Sequence, residues 1–463
     1  MRRFSKNITF AFIAQFVSIS SSLFITFIIP KYLSVAEFGY WQLFVFYSSF
    51  VGFFHFGFND GVYLKLGGKS VDEVNNPLLK SGLLFSFFSQ LIISIIIVGV
   101  CFFLKFGEER SFIFYTLAFY LIIFNLSNFF LFFFQATNRI NLYAVSAIAD
   151  KLLLLALLIA IFIAFWDSLS FKTVIVLFIV GRLCSLIYSI NKNKKLLKSK
   201  AEFCFNDYKN TIKVGAILML SNIASTLILG ISRFIVDFSW GLESFGKFSL
   251  SLSIVGFFLL FLSQFGMVLF PSLRQRKKED LIPVFLKIRD ITSFCLFFVY
   301  LLFFPLKLIL AYWLPLYSES LVYLILLLPL CIFDGKMQIL FSTYFKVFRM
   351  ENLLLILNIF AVLICLFLNF IALFILKSIV LVILASSFTV ALRSIFANII
   401  LSKKNNISIG WDSIIDALYS IFFVCSFWFL DDYFAFTIVL FLFLLFTFYK
   451  RKVLVEFITN IRN

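Results

Sequence analysis

Arg182, Arg233 and Arg393 stand inside long apolar runs of this sequence, together with Asp60, Asp150–Lys151, Asp237 and the pair Asp334 and Lys336. A charge at the middle of a bilayer costs about 2.5–3.5 kcal/mol on insertion scales, so such groups face a partner or a water-filled cavity. Asp150 with Lys151, and Asp334 with Lys336, are near enough in sequence to neutralise one another, although residues one or two apart leave a helix in different directions. Arg233 and Asp237, at i and i+4, share a helix face and can pair. A guanidinium can also hold a phosphate through two parallel hydrogen bonds, so an arginine-weighted interior suits an anion-attracting lumen. Interhelical bonding and snorkelling are the structural alternative, of equal weight. Asp60 lies in Gly57-Phe58-Asn59-Asp60-Gly61, where a turn or cap is its plainest role; His55, about one turn away, reads as a packed aromatic.

Other chemistry is poorly supplied. One histidine in 463 residues removes most metal-site and imidazole acid–base readings. The seven cysteines form no C-x-x-C pair and mostly sit in apolar runs, as small core hydrophobes do. No phosphate-binding lysine loop and no G-x-S-x-G elbow occurs, so neither an enzyme nor a metal or cofactor is expected. The polar patches Asn125–Asn128 and Ser221–Ser225, with Gln15, Ser18 and Ser20–Ser22, suit a cavity-lining helix or interhelical hydrogen bonds.

These residues must be positioned by membrane spans. The chain is 62% hydrophobic and 14% charged, against about 25% charged in a soluble domain. That excess is too large for one soluble core to hide. About 20 apolar residues cross the hydrocarbon layer as a helix. Runs of that kind lie near 8–29, 40–60, 82–104, 112–135, 143–165, 170–190, 212–234, 247–270, 290–310, 319–345, 353–376, 378–401, 412–430 and 433–449. The spacing therefore predicts an all-α polytopic membrane protein with about fourteen helices. The first run ends in Ile29-Pro30-Lys31 without a small-residue cleavage site and reads as a retained span. With the N-terminus cytoplasmic, 28 of the 40 lysines and arginines fall on the cytoplasmic side and seven opposite, alternating loop by loop. Both termini are then cytoplasmic. The net charge of +17 is mostly this topology signal, helped by anionic headgroups, rather than a sign of nucleic acid. The 71 phenylalanines read mostly as lipid-facing bulk.

The chain also resembles itself. Val51-Gly52-Phe53-Phe54 recurs as Val255-Gly256-Phe257-Phe258, and Glu37-Phe38-Gly39 as Glu243-Ser244-Phe245-Gly246. Phe134 through Arg139-Ile140-Asn141-Leu142 recurs as Phe345 through Arg349-Met350-Glu351-Asn352-Leu353. Three matches in one order at nearly constant offset imply a duplicated six-helix unit with both copies in the same orientation. The expected division is 1–200 for the first lobe, 206–405 for the second, and 406–463 for two appended helices and a tail, with the lysine-rich stretch 191–213 as linker.

Ile28-Ile29-Pro30-Lys31-Tyr32-Leu33-Ser34 through Glu37-Phe38-Gly39-Tyr40-Trp41 resembles the first external loop of bacterial polysaccharide and O-antigen flippases (Wzx-like), members of the multidrug/oligosaccharidyl-lipid/polysaccharide exporter superfamily. Phe56-Gly57-Phe58-Asn59-Asp60-Gly61, and Arg233-Phe234-Ile235-Val236-Asp237 before Phe245-Gly246, are similar to that family too. The resemblance implies a central cavity between two lobes and a flippase, not an enzyme, for an undecaprenyl-diphosphate-linked oligosaccharide in O-antigen, capsule or exopolysaccharide synthesis. It implies a multi-pass protein of the bacterial inner membrane working by alternating access, alongside other polysaccharide-assembly membrane proteins. On that resemblance Arg233 and Lys336, then Arg182 and Arg393, are the expected head-group contacts, and Asp237 and Asp60 the carboxylates for ion coupling. The alternatives are a multidrug exporter of the same superfamily and a polysaccharide polymerase or ligase. Exporters favour buried acids, and polymerases carry a large external loop that this sequence lacks.

Overall fold

The computed structural model describes residues 16–164, 169–274, 278–405 and 411–451. The start of the first expected span with Gln15, the loop residues Arg276 and Lys277, and the chain past 451 lie outside the described residues. Among those described the architecture is all-helical. In order come α1 (Phe16–Tyr32), α2 (Val35–Val51), α3 (Phe58–Leu66), α4 (Asn76–Leu104), α5 (Glu108–Ala136), α6 (Ile140–Ala164) and α7 (Phe171–Lys192). Then follow α8 (Phe205–Arg274), α9 (Lys278–Trp313), α10 (Pro315–Leu327), α11 (Pro329–Val347), α12 (Glu351–Ile375), α13 (Ile379–Lys404), α14 (Asp412–Phe429) and α15 (Asp432–Tyr449).

Local sequence sets several starts. Ser34, Asn75 and Ser170 each accept the backbone N–H three residues on, at 3.2–3.3 Å, capping α2, α4 and α7. Ten helices among the described residues are long and apolar enough to cross a membrane, or eleven with the bent pair α10/α11 taken as one span. The difference from fourteen has physical sources. α1 is described only from Phe16 onward, and α2 is short because the chain unwinds after Val51. The expected seventh and eighth spans run together in α8, broken only at Gly241 (φ 80, ψ −179).

The chain divides into two compact units, 1–223 and 224–463. In the first unit α5 is the hub: two-thirds of its apolar window is buried, against about one-sixth for α4 and α6. Its buried face carries Phe129, Phe130, Phe133 and Phe134. Phe38, Phe44, Phe58, Phe245 and Phe248 are likewise fully buried, so part of the phenylalanine set forms packed core. In the second unit α11 is almost wholly buried and packs on α13.

The turn closing α5 recurs after α11, 211 positions later. Asn138 (φ 56) and Arg349 (φ 55) hold the same left-handed conformation. Arg139 N–H donates to Phe134 O at 2.8 Å, and Met350 N–H to Phe345 O at 2.7 Å. Asn138, not Arg139, is thus the counterpart of Arg349, one residue out of register with the arginine match in the sequence.

The expected second span contains the sharpest departure from regular helix. Gly52–His55 is a 3-10 turn, Phe56 (φ 52) and Gly57 (φ 87) are left-handed, and α3 starts again at Phe58. The break frees the Val51 carbonyl, which accepts from Asn125 Nδ2 at 3.0 Å, while Asn59 Nδ2 donates to Asn125 O at 3.2 Å. The restarted helix lies directly on α8. A Cβ on Gly215 would sit 2.1 Å from Gly57 O, and one on Gly61 2.0 Å from Thr211 O. Gly215→Val is expected to cost about 1–3 kcal/mol by overpacking and to lower the unfolding midpoint in detergent. Gly99→Ala, which meets nothing within 4 Å, is expected to leave it unchanged or raise it.

Candidate functional site

Each cation singled out from the sequence lies on a helix, and three of the four meet a carboxylate from a different helix. Arg182 on α7 donates from Nη1 to Asp150 Oδ2 of α6 at 3.0 Å and from Nη2 to Asn128 Oδ1 of α5. Its guanidinium also lies 4.7 Å from the centre of the Phe124 ring. α6 and α7 can approach this closely because position 181 is glycine: a Cβ there would stand 2.7 Å from Asp150 O. Ser146, Ser185 and Ser189 continue the contact as hydroxyl pairs at 2.8 Å.

Arg393, 211 positions after Arg182, is held in a comparable way in the second unit. It donates from Nη1 to Ser225 Oγ of α8 at 2.7 Å and from Nη2 to Asp334 Oδ1 of α11. Asp334 Oδ2 accepts from Gln338 Nε2 at 2.7 Å. Lys336, two residues along α11, points elsewhere and pairs with Asp416 of α14; these side chains are 2% and 5% exposed. Asp150 and Asp334 therefore do not neutralise their sequence neighbours: each joins an arginine across helices, as helical geometry requires of residues one or two apart. Lys151 instead lies 5.4 Å from the Phe178 ring centre.

The Lys336–Asp416 pair borders a larger buried network. Arg289 of α9 meets Asp412 of α14 at 2.6 Å and Asp290 at 3.6 Å. Lys450, just past α15, reaches Asp290 at 3.0 Å and Asp412 at 2.9 Å. Three cations thus face three carboxylates, tying α14 and α15 to α9 and α11. Among the 28 cytoplasmic charges counted in the sequence are Arg289, in a loop, and Lys450, in the C-terminal tail; Asp412 and Asp416 are not among the residues singled out there. The available signal was two acids at i and i+4 in an otherwise apolar span, which share one helix face.

Arg233, in the first arm of α8, donates from Nη2 to Ser249 Oγ of the second arm at 3.0 Å, with its guanidinium 5.2 Å from the Phe245 ring centre. Asp237, one turn on, is buried. Asp60 is buried in the first turn of α3, its Oδ2 3.6 Å from His55 Nε2. The polar patch Asn125–Asn128 is spent on helix-to-helix bonds: those of Asn125 and Asn128 already described, and Ser127 Oγ 3.5 Å from Ser185 Oγ of α7. Among the described residues no group of three His, Cys, Asp or Glu side chains is arranged to hold a metal ion.

No protein-family model matches the chain, and no curated protein matches it by sequence. Solved structures do match. The lipid II flippase MurJ in an inward closed conformation aligns with a TM-score of 0.70 at 16% identity, over 96% of this chain and all of its own length. A multidrug resistance MATE family transporter of the MOP superfamily, inward-facing, aligns at 0.62 and 12% identity, over 85% of this chain and 96% of its own. An outward-facing MATE transporter aligns at 0.60 and 14%, over 87% and 94%. Among the described residues the chain is thus all-helical with ten or eleven candidate membrane spans. Its fold is the one these solved MATE transporter and MurJ structures share.

The buried pairs make a quantitative expectation. Removing one member of a buried pair costs about 3–5 kcal/mol, whereas replacing both by apolar groups is often neutral. Lys336→Met is expected to lower the unfolding midpoint sharply, and the double variant Lys336→Met/Asp416→Leu to recover most of the loss, as read by thermal unfolding in detergent.

Proposed function

We propose that the protein is a flippase that moves an undecaprenyl-diphosphate-linked oligosaccharide from the cytoplasmic to the outer leaflet for O-antigen, capsule or exopolysaccharide synthesis. It works by alternating access and draws on an ion gradient, from a bacterial inner membrane with both termini cytoplasmic. The observation that carries this reading is the full-length likeness to a flippase fold: MurJ covers 96% of the chain, the MATE transporters 85–87%. The arginine-weighted interior supports it, because a diphosphate entering a region of low dielectric needs fixed positive charge.

In this reading Arg233, Lys336, Arg182 and Arg393 are the head-group contacts, and Asp237 and Asp60 the coupling carboxylates. The observed pairing adds a condition. A diphosphate reaching Arg182, Arg393 or Lys336 must compete with Asp150, Asp334 or Asp416 for the same N–H donors. Binding is then an exchange of carboxylate for phosphate, which avoids leaving a cation bare when the site is empty. A multidrug exporter of the same superfamily remains the second reading, favoured by the MATE likeness.

Deletion of the gene is expected to abolish surface polysaccharide and to leave lipid-linked repeat units on the inner leaflet. Complementation with Arg233→Ala is expected to restore roughly a tenth or less of wild-type polysaccharide, a charge-assisted hydrogen bond being worth about 1.5–3 kcal/mol. Normal polysaccharide from both Arg233→Ala and Lys336→Ala, at normal protein level, would sink the assignment. Drug sensitivity in the deletion strain with polysaccharide intact would favour the exporter.

A further inference from the structure

We propose that His55 is a proton-binding site whose occupancy loosens the turn at the break in the second expected span. Its Nδ1 accepts the Gly57 N–H at 2.9 Å across the left-handed pair Phe56–Gly57. A ring nitrogen that accepts carries no hydrogen, so the imidazole is neutral with its proton on Nε2. That nitrogen faces Asp60 Oδ2 at 3.6 Å, and both side chains are less than a tenth exposed. Adding one proton from water places an N–H on Nδ1, where it confronts the Gly57 N–H donor to donor. The bond that closes the turn is lost, while Nε2–H becomes part of an imidazolium facing the Asp60 carboxylate. Proton uptake therefore trades a backbone turn for an ion pair.

The turn has little else to spare. Phe56 is a bulky residue in the left-handed region, a conformation that costs about 1–2 kcal/mol and persists only when its surroundings enforce it. Its other supports are Phe56 N–H to Phe53 O at 3.0 Å and Gly61 N–H to Gly57 O at 2.8 Å. Gly57 and Gly61 are also the residues seated against Gly215 and Thr211 of α8, so release of the turn loosens that helix contact.

The elements packed around the turn carry few other titratable or charged groups. Residues 81–104 of α4 and 111–136 of α5 contain no Asp, Glu, Lys or Arg; Cys101, Tyr115 and Tyr120 are their titratable side chains. On α8, Asp207 is bound to Lys65 of α3 at 3.2 Å, while Lys209 and Lys213 are exposed and Tyr208 is buried. On α2 the titratable groups are Glu37, Tyr40 and Tyr47, and on α3 Tyr63 besides Asp60 and Lys65. Arg182, stacked near Phe124 of α5, is held by Asp150. The inference goes beyond the proposed cargo, and its test needs none.

Because this is the only histidine in the chain, nitrogen-15 labelling of histidine reports on it alone. The protein in lipid nanodiscs is titrated from about pH 8 to about pH 4, across the ordinary histidine range. Amide hydrogen exchange of residues 52–61, corrected for intrinsic rate, is followed in parallel. At high pH Nδ1 is expected to be the unprotonated nitrogen. As pH falls and Nδ1 gains its proton, protection of the 56–61 amides is expected to drop about tenfold, the weight of one such hydrogen bond. His55→Asn, whose Oδ1 can accept in place of Nδ1, is expected to keep the segment protected throughout; His55→Phe is expected to exchange fast at every pH. The proposal is overturned by an Nδ1–H tautomer at pH 8, by protonation without loss of protection, by absence of protonation down to pH 4, or by the same pH-dependence in His55→Asn.

Discussion

A charge carried into a bilayer must meet an opposite charge or water, and the packing of this protein follows that requirement closely. Arg182 with Asp150 joins α6 to α7, Arg393 with Asp334 joins α11 to α13, and Lys336 with Asp416 joins α11 to α14. Apolar contact alone distinguishes poorly between helices in lipid, because the tails are as apolar as the side chains. Ion pairs set register where apolar contact cannot. Small residues matter as well: Gly181 lets α6 and α7 close at the Arg182–Asp150 pair, and Gly57, Gly61 and Gly215 do so for the restarted span and α8.

Span positions were largely legible in the sequence, because length and apolarity are properties of one segment at a time. The all-helical architecture follows from them. Partnership was not legible. Asp150 beside Lys151 and Asp334 near Lys336 invite a local pairing that helix geometry forbids, and the true partners lie 32 and 59 positions away. Asp416 was invisible as a partner for Lys336 because nothing in either segment says that α14 packs on α11. The duplicated turn shows a subtler limit. Matching Arg139 with Arg349 is natural on identity, yet the left-handed position aligns Asn138 with Arg349.

The break in the second expected span was equally hidden. Gly52 and Gly57 allow it, but the supports come from Asn125 on α5 and from the His55 ring. Read as a packed aromatic, His55 had no further part; its position in the turn gives it one. The neutralised interior also reframes the transport proposal. Three of the four cations expected to greet an anionic cargo, Arg182, Arg393 and Lys336, already hold carboxylates, so their part in selectivity in that scheme depends on how well the cargo replaces a carboxylate, rather than on positive charge alone.

The proposed cargo class is tested most directly with the purified protein in liposomes containing a polyprenyl-diphosphate-linked saccharide. The quantity measured is the fraction of saccharide open to a membrane-impermeant glycosidase added outside. If the assignment holds, cleavage proceeds past the outer-leaflet half, to near completion, only in protein-containing vesicles. Cleavage that stops at the outer-leaflet half, in vesicles whose protein still moves a cationic drug, would contradict it.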